Sequence, residues 1–212
     1  VLPNGMTVEY PATELGEYLM GVYKSLFNPS RMVRVILEAL AGRDVRRALQ
    51  MFADILMSGH MTDDRIFVAR YGAGIELPEW VVIRILMRTK YQYFMDEHGY
   101  VVNLFDLDET SSTTDNFLLP EILTVLSRDR KQQGELGIEG YRHVASLIEE
   151  LSLCGYLAED VLWGLEKLLG RRLVIADHQR LSGVSRDDHV KISASGHYHL
   201  AFLLGREEYL VG

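Results

Sequence analysis

The 212-residue sequence is short of several features that would set it apart from ordinary globular chains. It has one cysteine, Cys154, five prolines and two tryptophans. A single cysteine cannot close an internal disulfide, which excludes a disulfide scaffold and suits a reducing cytosol. The longest apolar runs, such as Trp80 to Ile83 and Ile85 to Met87, are cut by Arg84 and Arg88. Neither approaches the roughly 20 apolar residues of a membrane-spanning helix, so no membrane partner is expected. The opening residues lack the basic-then-apolar pattern of a signal peptide, and the chain is assigned to the cytoplasm. No Gly-Lys dipeptide occurs anywhere. A phosphate-binding loop of the form G-x-x-x-x-G-K-[ST] is therefore absent from the sequence, and unaided nucleotide hydrolysis is not expected of it.

Basic residues are also in the minority, with 22 Lys and Arg against 30 Asp and Glu. The net charge of −8 is uneven: residues 1–105 carry −1 and residues 106–212 carry −7. Nucleic-acid backbones are held by clustered Lys and Arg, so an acidic second half disfavours sequence-independent binding there. Apolar residues make up 48% and charged residues 25%, and mean hydropathy is +0.00. That composition belongs to a folded domain rather than a disordered tail or a fibre. The chain starts at Val1 rather than methionine, and it reads as a piece of a longer protein.

Periodicity predicts a mainly helical chain. Met6, Val8 and Tyr10 alternate as in a strand. Leu15, Leu19, Val22, Tyr23 and Leu26 then recur at helical spacing, Asn28-Pro29-Ser30 breaks the pattern, and Met32, Val33, Ile36, Leu37 and Leu40 form the next stripe. Asp44 is placed to cap a third helix carrying Val45, Leu49, Phe52 and Leu56, with Gly59 past its end. Pro78 fits the first turn of a helix running to about Met95 and stopped near Gly99. Tyr100 to Phe105 is β-prone.

These elements predict a helical, lid-like subdomain over residues 1–105 and an acidic, Ser/Thr-rich linker over 106–116. Helices over Phe117 to Ser127, Gly140 to Leu153 and Leu157 to Leu169 follow. Strands at Leu173 to Ala176 and His189 to Ser193 then flank a polar turn, and a last helix starts near Ala194. Three helices and a two-stranded hairpin make the winged-helix plan, assigned to residues 117–212. The expected fold class is mainly α, a lid-like bundle followed by a winged-helix domain with a small β-hairpin.

The segment Ala41-Gly42-Arg43-Asp44-Val45-Arg46-Arg47-Ala48-Leu49 carries the strongest chemical signal. It resembles the sensor-2 segment in the helical lid of AAA+ and related P-loop ATPases, including origin-recognition-like initiators and bacterial regulatory ATPases. In those lids a helix-opening arginine points at nucleotide phosphates. By match to that motif Arg46 is the sensor residue and Arg47 the second choice. A guanidinium one turn into a helix supplies forked donors and fixed charge for phosphate oxygens. The resemblance covers residues 30–60 by motif and 117–212 by architecture, and Asn103-Leu104-Phe105 is similar to part of large bacterial P-loop proteins. It implies a non-catalytic regulatory and interaction module, a nucleotide-sensing lid plus winged helix, of a larger P-loop ATPase, with no cofactor of its own. ATP would be held by an ATPase domain outside this chain, and a protein partner or neighbouring subunit would meet the winged helix.

Two alternatives stand beside this reading. The first is a DNA-binding module. The third helix of a winged helix is the usual groove reader, and its outward positions here are expected to be Glu159, Asp160, Trp163, Glu166 and Lys167. Three acids suit a DNA groove poorly, whereas an outward Trp163 suits a protein contact. Arg171, Arg172, Arg180, Arg186 and Lys191 flank the wing as phosphate-contact candidates. The second alternative rests on Tyr100 to Thr110, which resembles the first motif of haloacid-dehalogenase-like phosphatases. Asp106 would be nucleophile, Asp108 general acid, and Asp187 and Asp188 magnesium ligands. That fold needs parallel strands alternating with helices, which the pattern lacks. His189, His197 and His199 are read as surface or satisfied histidines rather than zinc ligands, because residues two apart on a helix face different ways.

Overall fold

In the computed structural model the chain is described at residues 11–27, 31–61, 77–89, 99–105, 115–132, 137–178 and 183–205. Several expectations lie outside these residues: the strand at Met6 to Tyr10, the break at Asn28 to Ser30, Asp106 and Asp108, and Arg180. The described residues form a mainly α fold with a small antiparallel sheet.

Helix α1 (Ala12–Phe27) buries only part of its apolar stripe, with Val22 and Leu26 inside and Leu15, Leu19 and Tyr23 exposed. In α2 (Arg31–Ala41) the residues Val33, Ile36, Leu37 and Leu40 are buried as the spacing predicts. Helix α3 (Val45–Met57) is capped by Asp44, whose carboxylate accepts from the Arg47 N–H at 3.1 Å. Its buried residues are Met51 and Ile55, while Val45 and Leu49 are 71% and 64% exposed. The predicted stripe of α3 therefore only partly coincides with the face turned inward.

Helix α4 (Glu79–Arg88) begins after Pro78 and ends sooner than periodicity predicts. Thr89 turns the chain at φ 52°. The chain then returns across this helix end: the Tyr100 N–H donates to the Leu86 carbonyl at 2.9 Å. Gly99 has no room for a side chain there, since a Cβ would lie 2.5 Å from the Met87 oxygen.

Residues 99–105 are not the expected strand but an irregular segment. Val101, Val102 and Leu104 are buried, so the apolar pattern was real. Its polar groups bond elsewhere than to a strand: to the end of α4, to Arg47, to His199 and to the Asn103 side chain. Buried main-chain groups need partners, and tertiary ones serve as well as a ladder.

The second half follows the order helix, strand, helix, helix, strand, strand. Helix α5 (Leu118–Asp129) matches expectation. A strand the sequence reading missed, β1 (Arg142–His143), precedes α6 (Val144–Leu153). It pairs antiparallel with β3 (His189–Ile192), which also pairs with β2 (Val174–Ala176), giving the order β1-β3-β2. The sheet thus has three strands rather than two. The first N–H groups of α6 are closed by the returning loop, Val144 donating to the Asp188 carbonyl and Ala145 to that of Arg186.

Helix α7 (Ala158–Gly170) lies close on α5. Gly164 permits this, because a Cβ there would meet Ile122 at 2.7 Å. Helix α8 (Ala194–Tyr198), capped by the Ser193 hydroxyl, runs into a π-helical turn at His199–Leu203. Helix α8 packs on α2, and one apolar cluster extends from Val22 to Leu203. Both expected subdomains contribute to that cluster.

Candidate functional site

The two arginines of the sensor-like segment have different fates. Arg46, in the first turn of α3, is exposed, and its side chain makes no hydrogen bond or ion pair among the described residues. Arg47 is drawn inward. Its Nε donates to the Leu40 carbonyl at 3.0 Å, one terminal nitrogen donates to the Tyr100 carbonyl at 3.1 Å, and its plane lies 5.4 Å from the Tyr100 ring centre. Burial, and then the charge of Arg172, pull its pKa below the usual value. Arg47 therefore stitches α2 and α3 to the 99–105 segment, and its fork is already occupied.

Tyr100 is held at a second point. Its hydroxyl donates to Asp54 on α3, and burial followed by that carboxylate pushes the phenol above its ordinary range.

The structure also joins residues that the sequence keeps far apart. The second carboxylate oxygen of Asp44 meets Arg172 at 2.8 Å, linking the α2–α3 turn to the α7–β2 turn. The hydrogen bond from Arg172, then that from the Arg47 N–H, holds the Asp44 carboxyl below the usual carboxylate range. Arg172 itself sits at φ 61°, fixed by the Ser193 hydroxyl donating to its carbonyl at 2.8 Å. Sequence reasoning grouped Arg172 with the wing, whereas the fold gives it to the α3 turn. A Gly-Arg-Asp turn signal marked one side of this contact, but nothing local marked the other.

A second tie is His199. It is fully buried, with Nδ1 2.7 Å from the Ser195 carbonyl and Nε2 accepting the Val102 N–H at 2.9 Å. An acceptor role at Nε2 requires the neutral tautomer protonated at Nδ1. Burial dominates the titration and pushes the ring down to about 4. This agrees with the reading of a satisfied histidine.

The other candidates are dispersed. Trp163 is half-buried against the core, with Lys167 Nζ 5.4 Å from its ring centre, rather than standing outward as expected. Lys191 lies 4.2 Å above the Tyr141 ring, Arg186 is exposed ahead of β3, and Arg171 is half-buried. Glu166 accepts the Val184 N–H and so ties the residues before β3 to α7. Asp188 is buried and accepts the Ser185 N–H at 2.7 Å, a turn-forming role, while Asp187 is exposed. His197 is half-buried beside Ser127, and burial followed by Arg130 and Lys131 lowers its pKa. His189 packs edge-on against His143. Cys154 is exposed. Among the described residues no three His, Cys, Asp or Glu side chains converge as metal ligands. No helix among them is long and apolar enough to cross a membrane.

Comparison of the chain with protein-family models, with curated proteins and with solved structures finds no match.

Proposed function

We propose that this chain is a non-catalytic regulatory module that docks on a cytoplasmic P-loop ATPase domain and reads its bound ATP through Arg46. One observation carries the reading: α3 turns Val45, Leu49 and the unengaged Arg46 away from its own core. Apolar side chains at i and i+4 beside an open guanidinium suit a surface that meets another protein and an anion held on it. The exposed Leu15, Leu19 and Tyr23 of α1 extend the apolar character to a second helix. Arg47, already bonded internally, is assigned a structural role instead.

The order of residues 118–192 and the sheet order β1-β3-β2 support a winged-helix reading of the second half. A protein partner or neighbouring subunit fits this half better than duplex DNA. The first turn of α7 carries Glu159 and Asp160, and Lys191 is engaged by Tyr141. The phosphatase reading is not favoured, because it needs residues 100–105 as a strand in a parallel sheet.

The test is turnover of the ATPase that the chain engages. Arg46→Ala should lower the rate by about tenfold or more, the scale of losing one charge-stabilising donor, with no loss of thermal stability in the chain itself. Unchanged turnover would remove the sensor assignment.

A further inference from the structure

Three non-glycine residues among those described have left-handed backbone angles, and two of them are arginines: Arg43 at φ 70° and Arg172 at φ 61°. Glycine takes this conformation without steric cost and is the ordinary occupant of such turns. An arginine there is strained, and the strain is tolerated where its side chain has work to do. The two turns lie far apart in sequence, yet the ion pair between Asp44 and Arg172 brings them together. Residues 41–47 and 170–173 hold five arginines and one aspartate, a net charge of +4 on a chain of −8.

Electrostatics alone works against this gathering. Arg172 is near enough to Arg47 for its charge to oppose the Arg47 charge. Only one carboxylate, Asp44, stands in the group, and it is shared between the Arg47 N–H and Arg172. The end of α3 is thus already capped by Asp44. What remains on offer is the set of guanidinium groups: exposed Arg43 and Arg46 in and beside one turn, and Arg172, its side chain 61% exposed, in the other. Guanidinium groups carried on two turns that the Asp44–Arg172 pair joins match the several oxygens of a polyphosphate better than a single carboxylate.

We infer that Arg43 and Arg172 join Arg46 in one surface for the polyphosphate chain of a nucleotide, so that both halves of the chain contact the same ligand. The inference rests on the Arg46 reading above and extends it across the molecule.

The left-handed angles supply an unusual test. Arg43→Gly and Arg172→Gly remove the guanidinium while relieving the backbone, so Arg43→Gly should melt at or above the parent's temperature, and Arg172→Gly, which also loses the half-exposed Asp44 pair, within a few degrees of it. Calorimetric titration of the 212-residue chain with inorganic tripolyphosphate and with ATP at low salt should show saturable binding that added salt weakens. Adenosine should not bind. Each glycine variant should bind either phosphate ligand about fivefold or more weakly, the scale of one charge-assisted contact.

Wild-type affinity in Arg172→Gly, or no saturable binding by the parent, overturns the inference. Weakening by Arg46→Ala but not by Arg172→Gly overturns it too, yet leaves the Arg46 reading standing. The reverse pattern removes Arg46 from the surface and overturns the inference together with the Arg46 reading. A DNA duplex bound more tightly than tripolyphosphate and lost in the same variants overturns the nucleotide assignment.

Discussion

Acid should weaken this protein through one residue, His199, more than through any other histidine. Its ring is closed at both nitrogens in the neutral form, and burial lowers it to about 4 from an ordinary 6.5. A proton on Nε2 would abolish the acceptor for the Val102 N–H and bury an uncompensated charge near Arg47. The unfolded chain, by contrast, protonates freely below 6.5. Between about pH 6.5 and pH 4 the unfolded state therefore binds more protons, and stability falls as pH falls. The histidine's contribution is intact above that window.

The shift corresponds to about 3 kcal/mol once pH is below 4, and to about 2 kcal/mol at pH 5. With a urea slope of about 2 kcal/mol per molar, the pH 5 loss moves the unfolding midpoint down by about 1 M relative to neutral pH. Urea titrations from pH 4 to 7.5 on the parent and on His199→Gln measure it. The variant should be weaker at pH 7, because Gln reproduces the two bonds imperfectly, but its midpoint should vary less across the window. Carboxylates titrate in both proteins and cancel in the comparison. Parallel curves for parent and variant would refute the neutral, doubly bonded histidine.

Two further outcomes follow from contacts in the helical half and at its seam with the sheet. Arg47→Ala strands the Leu40 and Tyr100 carbonyls and should cost about 2–3 kcal/mol by thermal or urea unfolding, whereas Arg46→Ala should stay within about 0.5 kcal/mol. Equal effects of the two would mean that their roles are misassigned. Gly196→Ala would set a Cβ 2.1 Å from the Leu173 oxygen. A loss of about 3 kcal/mol is expected from such an overlap with backbone, and an unchanged midpoint would show that the α8–β2 approach is looser than described.

Much of the helical pattern was legible because its signals are local. The Asp44 cap, the α2 stripe and the α7 helix each announce themselves within a dozen residues. The strand β1 did not, because two residues carry no periodicity and their pairing with β3 depends on a distant segment. Tyr100 to Phe105 misled for the opposite reason: its β-prone residues are buried, but tertiary donors and acceptors replaced a strand partner. On α1 and α3, apolar spacing could not tell an inward face from an outward one, which is why Leu15, Leu19, Val45 and Leu49 are exposed. In the arginine segment the residues were visible in sequence. The division of labour between Arg46 and Arg47 was not, since it depends on the carbonyls of Leu40 and Tyr100 coming within reach.

The ties through His199, Arg47 and the Asp44–Arg172 pair make denaturation a shared event. Neither half can open while these bridges and the common apolar cluster hold, so melting should be cooperative across the described residues rather than stepwise. Nature has supplied a reporter on each side, Trp80 in α4 and Trp163 in α7. With one indole replaced at a time, the fluorescence of either should trace the same transition.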